Sequence, residues 1–162
     1  MRLLKKAEAL LSGLEGLLVA VLLSIMILMS FSQVLLREFF HTGIIWGDVF
    51  LRQLVLWVGF LGAALAAAQD KHFAWEAAQK DAKWGPWMRL AAHLAAAAIT
   101  AMLIRASWLF LMDEKAAAQT LFSVGPFPVP AWLFAAAIPA GFSLVLLHFL
   151  ARSAEAAAEL KK

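Results

Sequence analysis

The sequence contains no cysteine among its 162 residues. Disulfides, thiolate catalysis, iron–sulfur clusters and thiolate zinc sites are therefore excluded. Charged residues make up only 15% of the chain, whereas soluble domains carry about a quarter. The sequence also lacks the Gly-x-Gly-x-x-Gly, Walker, His-Glu-x-x-His and Gly-x-Ser-x-Gly motifs, so no site for nucleotide handling or hydrolysis is visible. We predict that the protein is not an enzyme and holds no metal.

Long apolar stretches make up about half of the sequence. Four of them are uncharged or nearly so, at residues 17–36, 49–68, 90–112 and 131–150. As helices rising about 1.5 Å per residue, each can cross the roughly 30 Å hydrocarbon core of a bilayer. We therefore predict an all-α integral membrane protein with four transmembrane helices, in which residues 1–162 form a single membrane domain. The first span is too long for a cleaved signal peptide and is expected to remain.

Basic residues fall mainly on one side of these spans. Ten of them share that side: Arg2, Lys5, Lys6, Lys71, Lys80, Lys83, Arg89, Arg152, Lys161 and Lys162. The other side has only Arg37, Arg52 and Lys115, while Arg105 lies inside the third span. Because Lys and Arg accumulate in cytoplasmic loops, both termini are predicted to be cytoplasmic. The net charge of +3 then indicates contact with lipid headgroups and not with nucleic acid.

Two connecting segments have the pattern of short interfacial amphipathic helices. In residues 3–15 the leucines share one helical face and the charged residues lie elsewhere. This piece either lies along the inner surface or extends the first span. In residues 69–89, Glu76 and Lys80 are one helical turn apart and a Trp-Gly-Pro-Trp break follows at residues 84–87. That pattern predicts a short surface helix and then a turn.

Small residues and one proline predict how the helices pack. Gly59, Ala63 and Ala67 form a stripe of small residues at four-residue steps in the second span, next to Gly62. Such a stripe allows close packing either within the bundle or against a partner membrane protein. Pro139 lies in the middle of the fourth span, where a missing N–H predicts a kink. Gly141 adds room at that bend.

Charged residues at membrane depth are functional candidates by default. Arg52 follows Asp48 by one helical turn, a spacing that suits an ion pair. This pair either anchors the structure or contacts an outer-side partner or an anionic solute. Arg105 lies about 10 Å below the outer end of the third span. We predict that it snorkels toward water or toward Asp113 and Glu114, or bonds within the bundle.

Two histidines leave a different function open. His93 and His148 are each four positions from an arginine on the cytoplasmic side, so they lie at similar depths in two helices. They are either ordinary histidines at helix ends or axial ligands of a b-type haem in the membrane anchor of a redox complex. A small independent membrane transporter is a further alternative, although four spans without an evident inverted repeat do not favour one.

The stretch from Arg37 to Glu76 resembles the small membrane subunit of tripartite ATP-independent periplasmic (TRAP) transporters, the DctQ type. That family shows a Trp, an acidic pair, an Arg and a Trp, then Gly-Ala and a His-Ile segment leading to an acid. The matching residues here are Trp46, Asp48, Arg52, Trp57, Gly62, Ala63, His72, Phe73 and Glu76, with a second match at Pro130, Trp132, Pro139 and Gly141. The second acid of the family is replaced by Val49, so any role of that carboxylate shifts to Asp48 or is absent.

The resemblance implies a three-part uptake system in the bacterial inner membrane. A periplasmic binding protein captures an organic acid, and a large membrane subunit carries it inward by an elevator-like movement coupled to a sodium gradient. The small subunit acts as a fixed scaffold for the large one and needs no cofactor of its own. We predict that its outer-side residues contact the binding protein or another partner: Arg37, Trp46, Asp48, Arg52 and Lys115.

Overall fold

Five helices and one two-stranded hairpin make up the described part of the chain. The computed structural model describes residues 2–69 and 85–159. In chain order its elements are α1 (Arg2–Phe40), α2 (Gly47–Gln69), α3 (Gly85–Ala117), β1 (Thr120–Val124), β2 (Phe127–Pro130), α4 (Trp132–Ala135) and α5 (Ala137–Glu159).

Four helical stretches are long and apolar enough to cross a membrane, which confirms the predicted number of spans. They are Glu8–Phe40, Gly47–Ala68, Trp87–Ala117 and Trp132–Ala158. Helix α1 runs without a break from Arg2, so residues 3–15 extend the first span and do not form a separate helix. The predicted surface helix with Glu76 and Lys80 falls in residues 70–84, outside the described residues.

Helix α5 is central in the described bundle. It packs against α3 and against α2, and α2 in turn packs against α1. The helices therefore form a row in the order α1, α2, α5, α3, with α1 and α3 on the two flanks. Arg152 near the end of the chain pairs with Glu8 near its start. That contact defines the terminal end of the row, and the opposite end, which carries β1 and β2, is the hairpin end.

Alanine builds much of the core of this row. The buried alanines include Ala64, Ala67, Ala68, Ala97 and Ala137. Small side chains let helix backbones approach closely, and this drives association in lipid, where the hydrophobic effect between helices is missing. Many large apolar side chains point outward instead: Ile27 on α1 is 68% exposed and Met102 on α3 is 74% exposed. The flanks of the row thus suit lipid chains or the helices of a partner.

Gly141 lies directly against Phe60, where α5 packs on α2. A Cβ atom at position 141 would lie 2.7 Å from Cγ of Phe60, closer than real side chains come. The Phe60 ring also packs edge-on against Phe142, with 5.1 Å between ring centroids. A glycine is therefore required here by the close approach of the two helices.

The other predicted packing residues point away from the bundle. A Cβ on Gly59 or Gly62 would meet nothing within 4 Å among the described residues, and Ala63 is exposed. Ala67, the third member of the stripe, is buried within the bundle, so the stripe packs inside the described chain only at that end. Its use against a partner membrane protein stays a prediction.

Pro139 lies in the first turn of α5 and not in the middle of a helix. It has no N–H to offer the carbonyl of Ala135, and α4 accordingly ends at Ala135 while α5 begins at Ala137. Ala136 between them keeps a helical backbone, and its N–H bonds to the carbonyl of Trp132 at 3.0 Å. The predicted kink is therefore a short break near the start of the fourth span.

Two strands lie where we predicted only a connection. Strand β1 pairs antiparallel with β2, with Phe122 opposite Val129 and Val124 opposite Phe127. Gly125 has a φ of 58°, a conformation that glycine adopts without strain, and with the next residue it forms a two-residue turn. The hairpin covers the end of the bundle between α3 and α4.

Candidate functional site

The candidate site lies at the hairpin end, where α1 ends and α2 begins. Helix α1 stops at Phe40, and His41 takes the left-handed conformation with a φ of 49°. Gln33, only 4% exposed, holds the following turn from within. Its Nε2 donates to the carbonyl of Ile44 at 2.9 Å, and its Oε1 accepts the Ile44 N–H at 3.0 Å. This buried amide is satisfied at both ends, and it fixes the entry into α2.

Arg37 and Asp48 join the two helix ends across that turn. Arg37 Nη2 donates to Asp48 Oδ2 at 2.5 Å, and both side chains are more than half exposed. Arg37 lies in the last turn of α1 and Asp48 in the first turn of α2. Each charge therefore has the sign that the helix dipole favours at its position. This ion pair adds to the Gln33 contacts in setting the angle between α1 and α2.

The predicted ion pair between Asp48 and Arg52 is wrong. The Asp48 carboxylate binds Arg37, and Arg52 Nε donates only to the backbone carbonyl of Asp48, at 3.4 Å. The i, i+4 spacing brings the two residues together, but Arg37 reaches the carboxylate from another helix, a contact that a local pattern does not reveal. Arg52 stays exposed at the hairpin end, where its guanidinium can contact another molecule.

Trp46 belongs to an aromatic cluster that attaches the hairpin to the helices. Its ring stacks on Phe122 of β1, with 5.7 Å between centroids and 13° between planes. Phe50 of α2 packs edge-on against Trp46 at 5.8 Å and against Phe134 of α4 at 6.0 Å. Such aromatic pairs prefer these offset and edge-on geometries. Trp46 is therefore part of the packed structure beneath the surface of the hairpin end.

Lys115 lies beside α4, apart from the Arg37 and Asp48 pair. Its Nζ lies 5.7 Å from the ring centroid of Trp132, a cation–π distance. Of the five predicted contact residues, the structure thus joins Arg37, Asp48 and Arg52 in one polar group and places the other two elsewhere at the same end. The described residues contain no group of three His, Cys, Asp or Glu side chains that could hold a metal ion. Their chemistry suits electrostatic contact with a protein surface.

A second polar group lies at the terminal end, and its central contact joins Glu15 to His148. Both residues are 1% exposed. His148 Nε2 lies 3.0 Å from Oε1 and 3.1 Å from Oε2 of Glu15. The contact links α1 directly to α5, which otherwise meet little. Burying either group without the other would be costly, because an unpaired buried charge loses its solvation.

Arg152 gathers three further groups one turn beyond His148. Its Nε lies 3.3 Å from Oε1 of Glu8, and its Nη1 donates to Oε2 of Glu155 at 3.0 Å. Its Nη2 also donates to the backbone carbonyl of Ala68 near the end of α2. One guanidinium therefore connects α1, α2 and α5. We name Glu8, Glu15, His148, Arg152 and Glu155 the terminal cluster.

The alternative role of His93 and His148 as haem ligands meets a physical obstacle at His148. Its Nε2 is held by the Glu15 carboxylate, so an axial bond through that atom would require this contact to break. His93 lies on α3, half-buried, with its ring centroid 6.3 Å from that of Phe149. The two imidazoles thus have different surroundings, and no observation favours a haem between them.

Comparison with known families adds to this geometry. A family model described as Tripartite ATP-independent periplasmic transporters, DctQ component, matches residues 26–159. The chain belongs to the DctQ family. The match confirms the resemblance drawn from the sequence, and it includes the Gln33 turn, the hairpin and the whole of α5. A search of the curated proteins found no match.

Membership of the DctQ family makes the chain a component of a TRAP transporter, and its four long apolar helices make it a multi-pass membrane protein. The matched region begins after Glu8 and Glu15, whereas His148 and Arg152 lie inside it. The terminal cluster therefore joins a segment outside the family match to one within it.

Proposed function

We propose that this DctQ protein is the small membrane subunit of a bacterial transporter for organic acids, and that it anchors and stabilises a large membrane subunit in the inner membrane. The large subunit moves its substrate inward by an elevator-like motion that a sodium gradient drives. A periplasmic binding protein delivers the organic acid. Sodium coupling then belongs to the large subunit, and both termini of this chain face the cytoplasm.

The observation that carries this proposal is that polar contacts tie three of the four long helices, α1, α2 and α5, to one another. Gln33 and the Arg37–Asp48 pair join α1 to α2 at the hairpin end. The terminal cluster joins α1, α2 and α5 at the other end. A helix row with polar ties at both ends resists sliding between its own helices. Such a row is suited to remain still while a partner moves beside it.

The exposed flanks of the row support the same role. On α1, Leu23, Met26, Ile27, Ser30, Phe31 and Val34 line a shallow groove along the helix surface. Large apolar side chains are also exposed on α3, including Met102 and Leu109. Apolar surfaces of this kind can lie against lipid or against another membrane protein.

The hairpin end offers the groups that a periplasmic binding protein would meet. Arg52 is exposed beside the Arg37 and Asp48 ion pair, while Trp46 and the Lys115 contact with Trp132 hold the surface beneath them. Complementary charges of this kind raise the rate of encounter and set the orientation of two proteins more than they raise affinity. We propose that this surface helps to dock the binding protein.

Reconstitution in vesicles tests the proposed function. Four preparations are needed: the chain alone, the large membrane subunit alone, both subunits, and both subunits with the binding protein. Uptake of a radiolabelled carboxylate is expected only in the last preparation and only with an inward sodium gradient. Carboxylate flux through the chain alone would contradict the proposal and favour an independent transporter. Full uptake by the large subunit without the chain would also contradict it.

A further inference from the structure

Arg105 is a charged residue that the chain places at membrane depth on an open face. It lies on α3, seven residues before Met112, the last residue of the apolar run, and thus about 10 Å along the helix from it. The side chain is exposed. It makes no hydrogen bond, ion pair or ring contact with any other described residue. An exposed arginine at this depth is costly unless an acceptor comes to it.

The face around Arg105 differs from the face of α3 that packs in the bundle. The buried residues of α3 are Ala97, Thr100, Ser107 and Leu111. At about 100° per residue, Arg105 projects roughly 120° away from that stripe. Its neighbours one or two turns away are exposed: Ala98, Met102 and Leu109. We name Ala98, Met102, Arg105 and Leu109 the Arg105 face.

The chain itself does not supply an anion to this face. Asp113 and Glu114 are eight and nine residues further along α3, more than two turns away, whereas helical neighbours are three or four residues apart. Neither forms a contact with Arg105. The predictions that Arg105 bonds to these acids or within the bundle are therefore wrong for the described residues.

Snorkelling toward the nearer membrane surface is also unfavourable for Arg105. The apolar run ends at Met112, so the nearer surface is expected toward the C-terminal end of α3. In an α-helix the Cα–Cβ bond tilts toward the N-terminus, and long side chains follow that direction. This helix geometry favours a guanidinium that points toward the middle of the membrane and not toward the headgroups that it would need to reach.

We propose that the Arg105 face docks a transmembrane helix of the large membrane subunit that carries an Asp or Glu at the same depth. This inference rests on the proposed function and adds the place of contact. A guanidinium can bind a carboxylate through two parallel hydrogen bonds, which fixes both depth and rotation of the incoming helix. Ala98 leaves room for that helix, and Met102 and Leu109 supply apolar contacts on either side of the ion pair. The competing occupant is a phospholipid headgroup drawn into the membrane.

Site-specific photo-crosslinking separates the two occupants without changing Arg105. A photoreactive amino acid is placed at Met102 or Leu109 in membranes that contain both subunits. The matched controls are Leu103 and Phe110, which are also exposed. Each directly follows a test position in the sequence, so its depth is nearly the same, but it projects from a different side of α3. The proposal expects adducts with the large subunit from Met102 and Leu109 and several-fold fewer from the controls. Lipid adducts alone, or equal yields from both sides, would overturn it.

Substitution of Arg105 tests the charge itself. With a tag on this chain, recovery of the large subunit in mild detergent is expected to fall at least about tenfold for Arg105→Leu and less for Arg105→Lys. Neutralising the paired acid of the large subunit should restore recovery with Arg105→Leu, because two neutral partners leave no charge unpaired. Unchanged recovery with Arg105→Leu would refute the docking inference alone. Failure of the two wild-type subunits to copurify would instead refute the proposed function.

Discussion

Individual polar residues give this apolar chain its specific contacts. Glu15 and His148 are both 1% exposed and face each other across α1 and α5. Gln33 satisfies both backbone groups of Ile44 at the other end. In a bundle held mainly by apolar contacts, such paired polar groups help to determine which helix faces lie together. Each pair is therefore expected to behave as a unit when it is mutated.

The coupling between Glu15 and His148 can be measured by a double-mutant cycle. Glu15→Ala or His148→Ala alone is expected to lower the free energy of unfolding by about 3 kcal/mol, because the remaining group stays buried without its partner. The double variant should cost at least about 1 kcal/mol less than the sum of the two. Unfolding by sodium dodecyl sulfate in mixed micelles, followed by tryptophan fluorescence, provides the readout. Ser143→Ala, at an exposed serine bonded to its own helix, serves as the control, and additive losses would contradict direct pairing.

Charge reversal at the hairpin end tests the docking surface for the binding protein. Arg52→Glu and Lys115→Glu are expected to reduce binding-protein-dependent uptake severalfold while the two membrane subunits still copurify, since surface charges act mainly on association. The reduction should shrink at high salt, where wild-type docking is screened as well. Lys6→Glu, an exposed charge at the terminal end, is the control. If uptake by both variants equals that of the wild type, these residues do not dock the binding protein.

The helices and strands differ in how far their form follows from local sequence. The four spans are predictable because a run of about 20 apolar residues requires a helix in a bilayer. The hairpin is less visible, since its strands have only five and four residues and its main signal is the Gly125-Pro126 turn. Pro139 predicts a helix distortion, but the position of the break, at Ala136, depends on the turn of helix that precedes the proline. Short helices and strands are therefore hard to predict from local sequence, because contacts with neighbouring elements stabilise them.

Contacts between helices are the part that local sequence does not supply. Glu15 and His148 are 133 residues apart, and Arg37 competes with Arg52 for Asp48 from a different helix. The glycines Gly59, Gly62 and Gly141 look alike in the sequence, yet among these three only Gly141 lies at a crowded crossing. A stripe of small residues indicates which face of a helix can pack closely. It does not indicate which other helix packs there.

The crossing of α2 and α5 offers a matched pair of glycine substitutions. Gly141→Val is expected to destabilise the protein by about 1–3 kcal/mol, because the new side chain must displace Phe60. Gly62→Val should be close to neutral in the isolated chain, since nothing lies within 4 Å of a Cβ there. The same unfolding titration in mixed micelles compares them. Equal losses from the two substitutions would mean that the contact between Gly141 and Phe60 does not determine the crossing.

The whole molecule is best described as a row of helices with polar ties at both ends and apolar flanks. Its DctQ family membership places it in a TRAP transporter, and our proposed scaffold role requires that this row stay rigid while the large subunit moves. The row has its flanks on α1 and α3, so a change in shape would alter the distance between these two helices. The absence of cysteine allows spin labels to be introduced at chosen sites only.

A distance measurement across the row tests this rigidity most directly. Spin labels at Glu38→Cys on α1 and Ala116→Cys on α3, both exposed at the hairpin end, are placed in the reconstituted complex and measured by pulsed electron paramagnetic resonance. We predict that the distance between them stays within roughly 2 Å without sodium, with sodium, and with sodium plus the loaded binding protein. The distance from Ala116→Cys to a label on the moving part of the large subunit should change. A comparable change between α1 and α3 would contradict a fixed scaffold.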